Sequence, residues 1–166
     1  MEKKQFDIEN ERIGTDSLTE FRVESKIREL VLSQDLGVLC SKSDITAYGS
    51  LVAYTANTDL TKILFATLSY TRKYQCLKSC DKVSILIDNR NQLQKRVSQI
   101  SAVTISGTAN KLKLPGAVAD AKEKLLEKHN YLHELLESDS CVYFEIDTEY
   151  CVYVTHLQEV YEWTAS

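Results

Sequence analysis

A chain of 166 residues, 43% hydrophobic and 27% charged, can bury one sizeable core and is too short for two ordinary ones. Its 20 Lys and Arg against 24 Asp and Glu leave a net charge of −4, which offers no general attraction for nucleic-acid backbones or anionic membranes. The longest apolar runs, such as Ile85–Ile87, fall far short of the roughly 20 residues of a spanning helix, and no apolar signal segment follows Met1-Glu2-Lys3-Lys4-Gln5, so the cytoplasm is the expected location.

Residues 1–16 are polar and without apolar period, and read as a loosely docked tail ahead of a single domain over 17–166. Ser17-Leu18-Thr19-Glu20 has the form of a capping box, and Val23, Ile27, Leu30 and Val31 follow at helical spacing, which predicts a helix to about Ser33. Gly37–Ser41, Ser50–Tyr54 and Ile63–Thr67 are short apolar runs separated by polar segments that include Asp44, Gly49, Asn57 and Asp59, the pattern of a three-stranded meander. Thr71 to Cys80 suits a short helix capped by Ser69 or Thr71, and a buried strand is expected at Val83–Asp88. After the turn-like stretch Asn89–Arg96, Val103 and Ile105 alternate with Thr104 and Ser106 in a strand running past Gly107. Pro115, the only proline, suits the first turn of a helical region whose apolar face is Val118, Ala121, Leu125, Leu132, Leu135 and Leu136. Two strands, Val142–Ile146 and Tyr150–Thr155, close the chain. The expected fold is mainly β (α+β), about six antiparallel strands in a closed or partly closed barrel with three flanking helices.

The chemistry concentrates at Thr67-Leu68-Ser69-Tyr70-Thr71-Arg72-Lys73-Tyr74, where a strand ends, hydroxyls cluster, and two cations enter the first turn of a helix. Hydroxyls and free N–H groups of a helix start can donate to a phosphate, and guanidinium and ammonium groups add charge-assisted bonds. Two cations in a first turn oppose the helix dipole, by a few tenths to about 1 kcal/mol each, and a bound anion would remove that conflict. By spacing alone the alternative stays open that Arg72 and Lys73 are solvated and that Ser69 or Thr71 only caps the helix.

Over roughly residues 22–163 the chain resembles the pyridoxamine 5'-phosphate oxidase-like flavin-binding split barrels. The resemblance rests on Thr67, on Thr71-Arg72-Lys73 and on Tyr74-Gln75-Cys76-Leu77. It extends to Gly37-Val38-Leu39, to Val83–Ile87 followed by Asp88-Asn89-Arg90, and to Val103–Ala109, in that order. It implies a six-stranded antiparallel split β-barrel that binds FMN, with Arg72 and Lys73 on the flavin phosphate assisted by Thr67 and Thr71. It also implies that backbone groups of Ser50, Leu51 and Val52 line the ring, and that a homodimer holds the flavins at its interface. Departures matter as well. Ser50 stands where the oxidase has a phosphate-binding arginine, Ala102 where it has a glutamine, and the Arg-x-His element near its C-terminus has no counterpart in Gln158-Glu159-Val160-Tyr161-Glu162-Trp163. Oxidation of pyridoxamine phosphate is therefore not the expected reaction, and an FMN-dependent oxidoreductase acting on another small molecule is. The alternatives on the same barrel are a non-catalytic flavin or haem binder and a deazaflavin-dependent reductase, whose acidic cofactor would call for more cations than Arg72, Lys73 and Lys62.

No side chain is a convincing acid, base or nucleophile, as expected where the cofactor carries the chemistry. His129 and His133 would share a helix face if the helix were continuous, but no HExxH arrangement surrounds them, and solvated histidines are the expected reading. Cys76 and Cys80 are read as buried or half-buried thiols, and Trp163 and Tyr161 as interface packing or a flavin cover.

Overall fold

The structure is a computed structural model and describes residues 17–43, 46–90, 99–155 and 159–164, with side chains from residue 22 onward. Helix α1, Ser17–Ser33, buries Val23, Ile27, Leu30 and Val31, the stripe that the sequence spacing predicts. Strands β1 (Leu36–Lys42), β2 (Ala47–Ala56) and β3 (Lys62–Leu68) form the expected meander. Helix α2 (Arg72–Ser79) leads to β4 (Lys82–Asp88) and β5 (Ala102–Lys111). Helix α3 (Pro115–Lys128), with Pro115 in its first turn, is followed by a single 3₁₀ turn at Asn130–Leu132 and the short α4 (His133–Leu136). The chain ends in β6 (Cys141–Thr155) and β7 (Glu159–Trp163).

The strands are antiparallel in the order β3-β2-β1-β4-β5-β6-β7, and a further β3–β6 pairing closes the first six into a barrel with β7 added on β6. Closure pairs β3 with β6 along Lys62–Leu68, so those strands leave no open edge there. Leu39, Tyr54, Ile63, Phe65, Ile85, Ile87, Ile105 and Ile146 point inward and are fully buried, each worth about 1.5–3 kcal/mol over the exposed side chain. Phe65 and Phe144, cross-strand partners, stack with centroids 5.4 Å apart. Strands β3 and β6 are covered on their outer face too, where Leu64 and Tyr143 meet Ala121, Leu125 and Leu136. That double burial is why Ile63-Leu64-Phe65 is continuously apolar rather than alternating.

Three expectations are corrected. The two closing strands are one, β6, because Asp147, Thr148 and Glu149, which separate the two apolar runs, form a bulge within it. Ser106 faces Tyr150 and Gly107 faces Thr148, with Glu149 as the extra residue. The two carboxylates of this kink are paired across the sheet, Asp147 by Lys62 and Glu149 by Lys82, whereas the Thr148 hydroxyl between them is buried with no hydrogen-bond partner among the described residues. Gly107 makes the kink possible, since a Cβ there would lie 2.1 Å from the Asp147 carbonyl oxygen. Next, the helical region after Pro115 breaks at His129, so four helices and seven strands stand among the described residues. Last, His129 is not solvated. It is fully buried, and its Nε2 lies 2.7 Å from the Tyr54 carbonyl, to which it must donate. The polar tail, Asp44, much of Asn89–Arg96, His156 and Gln158 lie outside the described residues.

In the β2–β3 connection Leu60 has φ 59°, a left-handed backbone that disfavours leucine. Its full burial, the Leu60 N–H to Asn57 carbonyl bond of 3.1 Å and the Thr61 N–H to Asp59 carboxylate bond of 2.9 Å hold it there.

Candidate functional site

The barrel is split between β2 and β3. Strand β2 pairs with β1 along Ala47–Ala53, but with β3 only at Tyr54, Thr55 and Ala56. Strand β3 meanwhile continues with β6 through Ala66, Thr67 and Leu68. The stretch of β2 from Tyr48 to Val52 thus has a strand on one side only, and α2 packs beside it, with Leu77 buried and Tyr74 edge-on to Phe144 at 6.3 Å.

The turn into α2 is built by hydroxyls. Thr71 is the N-cap: its Oγ1 accepts from the Tyr74 N–H at 3.3 Å and donates to the Leu68 carbonyl at 2.9 Å. The Thr67 hydroxyl lies 2.9 Å from the same Oγ1. Since the single proton of Thr71 is committed to Leu68, Thr67 is the donor of this bond. Both hydroxyls therefore fix the backbone at the start of α2, and either would have to rotate to donate elsewhere. Ser69 is not the cap.

Arg72 and Lys73 reach back across the split to β2. The Arg72 guanidinium lies 5.0 Å over the Tyr48 ring, and the Lys73 ammonium donates to the Leu51 carbonyl at 3.0 Å. Of the ion pairs found among the described residues, none involves either cation. Lys62 differs: Glu145 at 2.7 Å and Asp147 hold it and raise its pKa, so its charge is spent. Burial holds the Lys73 ammonium below the ordinary lysine range. Between the two β2 contacts, the Ser50 Oγ is buried with no hydrogen-bond partner among the described residues.

The seven residues singled out in the sequence thus gather around one gap, with unequal roles. Val52 is 3% exposed and belongs to the core, so only its backbone can face a ligand, whereas Leu51 is 64% exposed on the outer face. Tyr48 was not singled out, although it shares the inner face of β2 with Ser50 by simple alternation. Two cations with no carboxylate partner and a hydroxyl with no hydrogen-bond partner among the described residues, the donors of a first helical turn and a strand edge fit a ligand with a phosphate and a flat hydrogen-bonding ring.

The pyridoxamine 5'-phosphate oxidase family model matches residues 23–163, nearly the whole described chain. The chain belongs to this family. No curated protein matches it. Among solved structures, a heme binding protein from Mycobacterium smegmatis aligns with TM-score 0.74 and 14% identity, over 83% of this chain and 56% of that one. The heme storage protein HutZ from Vibrio cholerae aligns with TM-score 0.66 and 13% identity, over 83% and 92%. An FAD-binding protein from Mesorhizobium loti aligns with TM-score 0.64 and 16% identity, over 78% and 91%. At these identities the likeness shows the fold alone.

Other candidates carry less. His133 is exposed beside Glu137, and His129 has its other ring nitrogen 3.4 Å from the Tyr131 hydroxyl, so neither stands with Arg72 and Lys73. No group of three or more His, Cys, Asp or Glu among the described residues could hold a metal. Cys76 is buried and Cys80 half-buried, and burial pushes the Cys151 thiol up to about 12. Trp163, on β7 opposite Cys151, packs partly against the barrel core. No helix among the described residues is long and apolar enough to cross a membrane.

Proposed function

We propose that the chain is an FMN-binding flavoprotein and an oxidoreductase whose substrate is not pyridoxamine phosphate. The observation that carries this reading is the pair Arg72 and Lys73, two cations tied to β2 with no carboxylate partner among the described residues, beside a Ser50 hydroxyl that has no partner among them either. In this reading Arg72 forks the phosphate, Lys73 adds its ammonium, the α2 N–H groups complete the cradle, and the β2 edge from Ser50 to Val52 lines the ring. FMN, when bound, supplies the electron or hydride transfer, and the protein supplies grip, orientation and exclusion of water. Ser50, standing where the oxidase has a phosphate-binding arginine, supports a substrate other than pyridoxamine phosphate. Lys62, the third cation weighed for a deazaflavin's longer acidic tail, is committed to Glu145 and Asp147, which favours FMN over a deazaflavin.

The same reading includes a homodimer. Its support is an outward-facing apolar row, Leu51, Val38 and Leu86, in register across β2, β1 and β4. Leu51 also supplies the carbonyl that holds Lys73, so one strand would serve both the interface and the cofactor. The test is the chromophore that copurifies and is released on denaturation. FMN is expected; haem, or no chromophore together with no FMN binding, would overturn the assignment.

A further inference from the structure

Resting on the phosphate site proposed above, we infer that Tyr48 is a positioning residue for Arg72, holding the guanidinium in place for a phosphate without consuming its donors. Arg72 is otherwise exposed, and a free arginine side chain would lose its rotamer freedom on binding the anion. The usual way to hold an arginine is a carboxylate, which would occupy the donor fork and compete with the ligand. Here the guanidinium lies over the ring of Tyr48 at 5.0 Å. A cation–π contact of this kind holds the guanidinium by the ring's electrons and places no acceptor oxygen on its N–H groups, so the ring can hold the group while those donors take a phosphate.

The arrangement is local to the split. Tyr48 and Ser50 occupy successive inner positions of β2, and Lys73 is tied to the carbonyl of Leu51 on the same strand. Strand β2 thus sets both cations, one through a ring face and the other through a carbonyl, neither of which neutralises charge. A purely structural tyrosine would have no reason to affect a phosphorylated ligand differently from its dephosphorylated form.

Dissociation constants for FMN and riboflavin, from quenching of flavin fluorescence, test this in wild type, Tyr48→Leu, Tyr48→Phe, Arg72→Ala and the Tyr48→Leu/Arg72→Ala double variant. Tyr48→Leu should weaken FMN about twofold to fivefold and leave riboflavin unchanged, Tyr48→Phe should behave as wild type, and Tyr48→Leu should add nothing once Arg72 is gone. A Tyr48→Leu protein whose FMN-to-riboflavin ratio stays at the wild-type value, while Arg72→Ala lowers it, would overturn the role of Tyr48 and leave the phosphate site standing. An unchanged ratio in Arg72→Ala would overturn both. A measurement on the wild-type chain guards against a variant that misfolds: the ring-current shift of the Arg72 side-chain protons should persist when FMN binds, and its disappearance would show that ring and phosphate compete.

Discussion

The Lys73 ammonium donates to the main-chain carbonyl of Leu51 at 3.0 Å, and this bond spans the gap where β2 and β3 part. It also links the ligand reading to pH. Burial lowers the Lys73 pKa, so the ligand-free site loses its proton at a lower pH than an ordinary lysine. A phosphate favours the charged amine and raises that value again, so FMN binding takes up a proton in the window between the two. Affinity for FMN relative to riboflavin should be flat from above the phosphate's own second pKa, about 6, up to the ligand-free value. It should fall by about tenfold or more as pH rises through that value, given about 1.5–3 kcal/mol for a charge-assisted contact. Lys73→Met should start from a lower ratio and show no such fall. A wild-type ratio independent of pH up to the ordinary lysine range would remove Lys73 from the phosphate.

Gly107→Ala tests the barrel's bend. The added methyl would sit 2.1 Å from the Asp147 carbonyl oxygen and 2.9 Å from Ile146 Cγ2, and backbone cannot yield as a flexible side chain can. A loss of about 3 kcal/mol or more is expected in urea unfolding, at the upper end of overpacking effects. A loss under about 1 kcal/mol would contradict the tight β5–β6 crossing.

Tyr54→Phe tests the pin between barrel and first helix. The buried Tyr54 hydroxyl donates to the Val31 carbonyl at 2.6 Å in the last turn of α1. Removing it leaves that carbonyl without its partner, at a cost of about 1–3 kcal/mol. The ratio of FMN to riboflavin affinity should not change, because Arg72 and Lys73 are held by other residues. A variant as stable as wild type would refute the pin.

Much of this architecture follows from local patterns. The α1 stripe is periodic, Thr71 is a capping residue ahead of a run of helix formers, and Pro115 suits a first turn. What sequence alone hides is long-range compensation. Asp147 and Glu149 look like a break in the apolar alternation between Ile146 and Tyr150 until Lys62 and Lys82, far away in sequence, are seen to pair with them. His129 looks solvated until the Tyr54 carbonyl is found against its ring. At the site, the threonines and cations were legible as a cluster, whereas Tyr48 became visible only once α2 folded back on β2 and set a ring beneath Arg72.

Sedimentation of the FMN-loaded protein should give about twice the 18.9 kDa chain mass. Leu51→Asp, which sets a carboxylate in the exposed apolar row, should shift it to the monomer at micromolar concentration and weaken FMN binding with it. A wild-type protein that is monomeric when loaded with FMN would contradict the shared interface.

The central claim is that Arg72 grips a phosphate, and the most direct measurement is the pair of dissociation constants for FMN and riboflavin in wild type and Arg72→Ala. Wild type should bind FMN at least tenfold to a hundredfold more tightly than riboflavin. Arg72→Ala should lose about 2 kcal/mol or more toward FMN and almost nothing toward riboflavin. Equal affinity of the wild-type chain for both flavins, or an Arg72→Ala protein with wild-type affinity for both, would contradict the account.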